Sequence, residues 1–409
     1  MSVLASRPLR HIAPRAVLQS SHHGEILRRF LHQTAAQGAE AVKKPSITAI
    51  SQIRKAAPGT SMIKAREALA ATFNWNGTEN IAAALTWLED DRLRAGAKKA
   101  EKIADREAKE GMVGLCILSD GLGVGAESEV ATPAPQGGLI EINCETDFVA
   151  RNEVFSELIR DLSHTAAMFP ALSSGLAIDE TPRIVDLPLP AFLQFPLMPS
   201  SPHFFGTNSP KTVQAAILDA VSRLGENINL ARVSTISAAS RPAAAAPQRT
   251  TRPASVILAS AFILGTPTLA APIAAGGPSR PGYVISGGRV ASLLLTRLHG
   301  LSPSTCSQGM SKIVRSLARS LARQTAGMET KAICSSEAET DLESALYSQH
   351  FMMLLPTAGI ALRDAGEESV ESVLKRWASK HLGQHAQGGE AAVEVLDLRR
   401  WKVGEFAQS

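Results

Sequence analysis

The spacing of Gly121-Leu122-Gly123-Val124-Gly125-Ala126 satisfies a loose G-x-G-x-x-A pattern, in which a tight turn brings backbone amides up to a dinucleotide pyrophosphate. That chemistry also needs a following helix whose amino-terminal amides face the phosphates. Glu127 to Gln136 instead contains Pro133 and Pro135 and carries no amphipathic period, so a hairpin loop is the better account. No G-x-x-x-x-G-K-[ST] loop is present, and the chain is not expected to bind or hydrolyse a nucleotide itself. His11, His22, His23 and His32 lie near the amino terminus, and the remaining histidines fall into no metal-ligand or nucleophile spacing. Cys116, Cys144, Cys306 and Cys334 show no Cys-x-x-Cys pair and read as reduced, buried thiols, with Cys116 and Cys144 placed as neighbours on two strands. Neither a cofactor nor a catalytic group emerges. What remains is binding chemistry: Thr146-Asp147-Phe148-Val149 places a charge and a bulky ring where a strand runs into a helix. Two readings are open there, a helix-capping Asp147 with Phe148 in the core, or an apolar wedge offered to a partner.

The flanking elements define that corner. Ile140, Ile142 and Cys144 alternate with Glu141, Asn143 and Glu145, the period of a half-buried strand, while Phe155, Leu158, Ile159, Leu162 and Ala166 recur at helical spacing. Residues 113–118 predict a second strand, and the polar connection between the two suits an antiparallel ribbon. Upstream, Ser46 caps a helix bearing Ile47, Ile50 and Ile53, Pro58-Gly59 breaks it, and Met62, Ala65 and Leu69 mark a second helix. Thr78 caps a third, with Ile81, Leu85 and Leu88 on one face, and residues 95–110 read as a separate, solvated connector helix. Downstream, Val213 to Leu224 reads as a helix terminated by Gly225, Asn227 to Val233 as a strand, and Arg289 to Leu295 as another. Ser311 to Arg323 reads as a helix whose Arg315, Arg319 and Arg323 form a solvated face, followed by a helix through Val370 and Trp377 and a strand over Val393 to Val403. Strands and helices without regular alternation predict an α+β fold with antiparallel sheets.

The string Glu141-Ile142-Asn143-Cys144-Glu145-Thr146-Asp147-Phe148-Val149-Ala150-Arg151-Asn152 closely resembles the signature of elongation factor Ts. Further strings are collinear with the same family. They are Gly59-Thr60-Ser61-Met62-Ile63 followed by Arg66-Glu67-Ala68-Leu69, Gly225-Glu226-Asn227-Ile228-Asn229-Leu230-Ala231-Arg232-Val233, Ser286-Gly287-Gly288-Arg289-Val290, and Leu398-Arg399-Arg400-Trp401-Lys402-Val403-Gly404-Glu405. Gln349-His350-Phe351 stands where the family usually has Gln-Pro-Phe. The resemblance implies a three-helix, UBA-like module over 45–94, then two related α+β subdomains. It implies a guanine-nucleotide exchange factor for mitochondrial elongation factor Tu, without catalytic chemistry of its own and contacting the partner's GTPase domain and further surfaces. It assigns partner contact to Thr146, Asp147, Phe148 and Val149, with Met62 and Ile63 as a secondary contact, and leaves Gly225 to Asn229 as a structural loop.

Net charge refines the partner class. The chain carries +4 overall, and residues 1–36 alone hold Arg7, Arg10, Arg15, Arg28 and Arg29 against Glu25, a surplus of the same size. The rest is near neutral, which argues against a phosphate-tracking surface and hence against direct nucleic-acid binding. Arg-rich, Ser-containing and nearly free of acids, residues 1–40 fit a mitochondrial transit peptide and a matrix location. The first core subdomain is expected over 95–169, a Pro/Ser/Leu-rich insert over 170–210, a helix and strand over 211–235, and the second subdomain over 283–409. Residues 236–282 read as a second, low-complexity insert, expected to be dispensable for folding. Residues 253–279 carry no charge, but Pro267, Pro272 and Gly265 argue against a membrane-spanning helix, and no membrane contact is expected. Two other classes fit parts of the pattern: a matrix chaperone or assembly factor without exchange activity, and a dehydrogenase using the Gly121 loop.

Overall fold

The computed structural model of the chain describes residues 44–122, 134–173, 181–200, 211–237, 255–265, 283–301, 306–335, 342–360, 367–383 and 391–405. The expected transit peptide therefore lies outside the described residues, as does the Gly121 loop from residue 123 onward. The chain divides into two compact units, Met1–Leu88 and Glu89–Ser409.

In the first unit, α1 (Ile47–Ala56), α2 (Met62–Ala71) and the opening turns of α3 (Ile81–Ile103) bury Ile50, Ile53, Ala65, Leu69, Ala84 and Leu88 in one cluster. Ser46 caps α1 as expected, its hydroxyl accepting from the Ala49 amide at 3.1 Å. Gly59, at φ +82°, makes the following turn. Thr78 does not cap α3. Asn80 does, its Oδ1 accepting from the Ala83 amide at 2.9 Å, while the Thr78 hydroxyl donates to Asn76 within the preceding turn. The charged stretch from residue 95, read as a separate connector, begins within α3 itself, which runs unbroken for 23 residues. Its last residue, Ile103, is buried.

The second unit is α+β, built on two antiparallel sheets. β1 (Glu110–Ser119), β2 (Gln136–Cys144), β3 (Ile184–Asp186), β4 (Asn229–Ile236) and β6 (Val284–Gly288) form the first, in the order β3-β4-β2-β1-β6. β5 (Ser255–Leu264), β7 (Val290–His299) and β8 (Ala392–Lys402) form the second, in the order β5-β7-β8. The single turn α4 (Asp147–Ala150) leads from β2 into α5 (Glu153–Leu172), followed by α6 (Leu189–Gln194) and α7 (Val213–Leu224). Phe155, Ile159, Leu162 and Val221 from α5 and α7 pack on Ile140 and Ile142 of the first sheet. On the second sheet, α8 (Gln308–Gly327) and α9 (Val370–His381) bury Leu317, Leu321, Val373 and Trp377 against Leu294 and Leu298. The remaining faces of the two sheets meet, Val113, Leu115, Ile117 and Leu139 opposing Ala259, Ala291, Leu293, Leu295 and Trp401.

Back-to-back sheets bury both faces of their central strands, which overturns the half-buried reading of β2. Glu141 is 0% exposed and Asn143 6%. Gly114 and Gly138 supply the close approach of α5: a Cβ at Gly138 would lie 2.6 Å from the Ala167 nitrogen, and one at Gly114 2.5 Å from Ile159 Cγ2. The string Ser286-Gly287-Gly288-Arg289-Val290 is where the chain leaves the first sheet at β6 and enters the second at β7.

Both stretches read as inserts contribute ordered elements. Within 170–210, β3 pairs with β4, and Phe192 of α6 is fully buried, its ring 5.9 Å from that of Phe169. Within 236–282, β5 pairs with β7 along its whole length, from Ser255 opposite His299 to Leu264 opposite Val290. Val256 and Leu258 join the core under α8, and Ile257 and Ala259 join the core between the sheets. A strand apolar on both faces has no alternation to read, which is why it resembles a featureless apolar run. Among the described residues no helix is long and apolar enough to cross a membrane.

Two smaller expectations also change. The arginines of α8 are a solvated row only in part: Arg319 is exposed, but Arg315 Nε lies 2.5 Å from Asp120 Oδ2, and the Arg323 guanidinium stands 5.5 Å over the Phe262 ring. Cys116 lies opposite Gly138 and Cys144 opposite Glu110, so the two thiols are not neighbours. All four cysteines are free; Cys334 is exposed, and burial pushes the Cys144 thiol up to about 12.

Candidate functional site

The corner after β2 is built from two consecutive helix caps. Thr146 has an extended backbone, and its Oγ1 accepts from the Val149 amide at 3.4 Å, which closes the four-residue turn α4. Asn152 repeats the device, its Oδ1 accepting from the Val154 amide at 2.9 Å to start α5. The capping role, one of the two readings open for Asp147, thus belongs to Thr146. Asp147 occupies the first helical position and faces Arg151 Nη2 at 3.3 Å in an exposed pair that contributes little to stability. Val149 and Ala150 turn inward to the core under α5, whereas Phe148 is 82% exposed. One turn therefore separates a buried apolar pair from a ring left in water, whose burial would be worth about 1.5–3 kcal/mol.

Glu226 holds this corner from the loop that joins α7 to β4. Gly225 ends α7 in the left-handed region, at φ +83°, and directs the chain back toward β2. Glu226 Oε2 then accepts from the amides of Glu145 and Thr146, at 3.2 and 3.0 Å, and its Oε1 accepts from the Thr146 hydroxyl at 2.5 Å. Glu145 answers in the other direction, its Oε1 accepting from the Asn227 amide at 2.7 Å. Asn227 Nδ2 donates to the carbonyls of Ala104 and Arg106, just beyond α3. No residue spacing pointed to this role for Glu226, which stands eighty positions from Thr146 in the chain.

A buried charge cluster lies farther along β2. Glu141 Oε2 sits 2.7 Å from Arg232 Nε, Glu141 Oε1 accepts from the Gly404 amide at 2.8 Å, and the Arg232 guanidinium stacks 4.4 Å above the Trp401 ring. The strings 141–152, 225–233 and 398–405 thus meet in one place, and the last joins the two sheets. Glu141→Ala is expected to lower the unfolding free energy by about 3 kcal/mol, because Arg232 and the Gly404 amide both lose the carboxylate they share. Chemical denaturation checks this; a change within experimental error would show that the cluster is energetically idle.

No protein-family profile matches the chain. The sequence is 45% identical over 387 residues to the mitochondrial elongation factor Ts of Mycosarcoma maydis, covering 88% of this chain and 85% of that protein. It is 38% identical to the mitochondrial elongation factor Ts of Malassezia globosa, over 89% of each chain, and 35% identical to that of Coprinopsis cinerea, over 90% of this chain and 94% of the relative. The chain belongs to the mitochondrial elongation factor Ts family. It is therefore a member of a family of translation factors, as the signature string implied.

The other strings shared with elongation factor Ts divide between surface and core. Met62 and Ile63 open α2, where the Ser61 hydroxyl accepts from the Lys64 amide at 3.2 Å. They are 49% and 70% exposed, so neither fills the core position that is the default for an apolar pair. Gln349 and Phe351 are internal: Gln349 Nε2 donates to Thr330 Oγ1 at 3.0 Å and to the Glu343 carbonyl at 2.9 Å, and Phe351 lies in the core of the second sheet. His350, the departure from the usual proline, lies on the surface between them. Gly121 serves packing: a Cβ there would lie 2.3 Å from the Ile257 carbonyl oxygen of β5. Thr146 to Val149 thus stand on one turn in the second unit, and Met62 and Ile63 belong to the first unit.

Proposed function

We propose that this chain is the exchange factor that promotes GDP release from mitochondrial elongation factor Tu, and that it acts in the mitochondrial matrix. The observation that carries the reading is Phe148, an aromatic ring in water on a turn whose next two residues are anchored in the core. Exposure alone does not single out a ring, since Trp75 is 99% exposed; what distinguishes Phe148 is that it stands in the string that marks the family, on a turn fixed to the core. A ring inserted into the partner's GTPase domain stabilises an arrangement of its nucleotide-holding loops that fits GDP and Mg²⁺ poorly. Coupling is reciprocal: the factor by which this chain weakens GDP binding equals the factor by which GDP weakens the complex, and incoming GTP displaces the factor in turn. Thr146 and Val149 shape the turn, Asp147 offers a carboxylate beside the ring, and Met62 and Ile63 supply a second apolar contact.

The test is the release of labelled GDP from mitochondrial elongation factor Tu, with excess unlabelled nucleotide, in the presence and absence of the chain. Acceleration that saturates with chain concentration is expected. Binding to elongation factor Tu without acceleration would favour a chaperone or assembly role instead.

A further inference from the structure

We infer that Glu226 is a positioning residue for GDP release, holding the turn that presents Phe148 without touching the partner's nucleotide. The inference rests on the exchange reading above and adds a residue to it. Three donors of the corner, the Glu145 and Thr146 amides and the Thr146 hydroxyl, converge on its two carboxylate oxygens. Charge-assisted bonds of this kind are roughly twice as strong as neutral ones. The direction of the Thr146 proton carries the consequence. With its O–H donated to Glu226, the Thr146 oxygen keeps its lone pairs for the Val149 amide, the bond that closes α4.

A four-residue turn has no helical cooperativity of its own, so its geometry depends on its caps. The Asp147–Arg151 pair is too exposed to replace them. The clamp also has a fixed footing, because Glu145 accepts from the Asn227 amide and Asn227 donates to the Ala104 and Arg106 carbonyls. Three chain segments therefore set the direction of one ring. Without the clamp the ring still reaches the partner, but it must be ordered while it enters, and that cost falls on the nucleotide-displaced state.

The experiment uses the full chain and measures labelled GDP release from mitochondrial elongation factor Tu over a range of chain concentrations. Glu226→Ala is expected to lower the saturating release rate by about tenfold while the half-saturating concentration moves by less than ~threefold. Glu226→Gln, which retains one acceptor oxygen for three donors, should fall between the two. In a Phe148→Ala background, Glu226→Ala should slow release no further, because both act through the same ring. A full saturating rate in Glu226→Ala, or an additive loss in the double variant, overturns the inference. A wild-type chain that leaves GDP release unchanged would remove the exchange reading instead. Amide hydrogen exchange then still tests the clamp: protection at 145–150 should fall in Glu226→Ala while protection across 290–299 stays the same. Unchanged protection at the corner, or uniform loss throughout, refutes it.

Discussion

Phe148→Ala is expected to slow saturated GDP release by more than about tenfold while changing the unfolding free energy by less than ~1 kcal/mol. The stability half follows from exposure. A buried phenylalanine cut to alanine costs about 3–5 kcal/mol, through lost transfer energy and the cavity left behind, and a ring 82% in water leaves no such cavity. The kinetic half follows from differential binding: an interaction made mainly in the nucleotide-displaced state is lost from the rate, whereas the contacts proposed for Met62 and Ile63 would continue to support association. Stopped-flow release and urea denaturation on the same variant decide the matter. Severe destabilisation with normal release by the folded fraction would return Phe148 to a structural role.

Replacing residues 240–278 with a short Gly/Ser linker is expected to abolish the cooperative folding of the second unit, the reverse of what the low-complexity reading implied. The replaced stretch contains β5, which pairs with β7 over ten residues and covers parts of two cores. Losing the burial of Val256, Ile257, Leu258 and the side chains they cover would cost on the order of 5–10 kcal/mol, comparable with the whole stability of a domain. The low cost of shortening a loop does not apply once the loop contains a strand of the sheet. Circular dichroism and thermal unfolding would record a broad or absent transition. Leu258→Ala provides a milder version, expected to destabilise by about 2–5 kcal/mol. A soluble deletion variant with an unchanged midpoint would show that β5 is an ornament on the sheet.

Most of the local structure was legible because it follows local rules. Ser46 caps α1, Gly225 ends α7, the 3.6-residue period of Phe155, Leu158, Ile159 and Leu162 becomes the buried face of α5, and the alternating tail becomes β8. The errors have a common source. Glu141 and Asn143 look solvent-facing by their alternation with Ile140 and Ile142, and β5 looks like a structureless apolar run, because periodicity reports one buried face at a time. When two sheets pack back to back, the second face is covered by chain that is distant in sequence. A buried carboxylate then survives only because Arg232 and the Gly404 amide arrive to meet it.

The candidate site divides along the same line. Residue types and order were enough to single out Thr146 to Val149 as a candidate corner and to point to elongation factor Ts, because a signature string needs no fold to be recognised. Which residue caps the turn, that Phe148 faces water while Val149 faces the core, and that Glu226 holds the corner were decided by the tertiary structure alone. Hydrogen bonds between residues eighty positions apart leave no periodic trace in a single chain. The exposure of a side chain is set by the surfaces that fail to cover it as much as by its own identity.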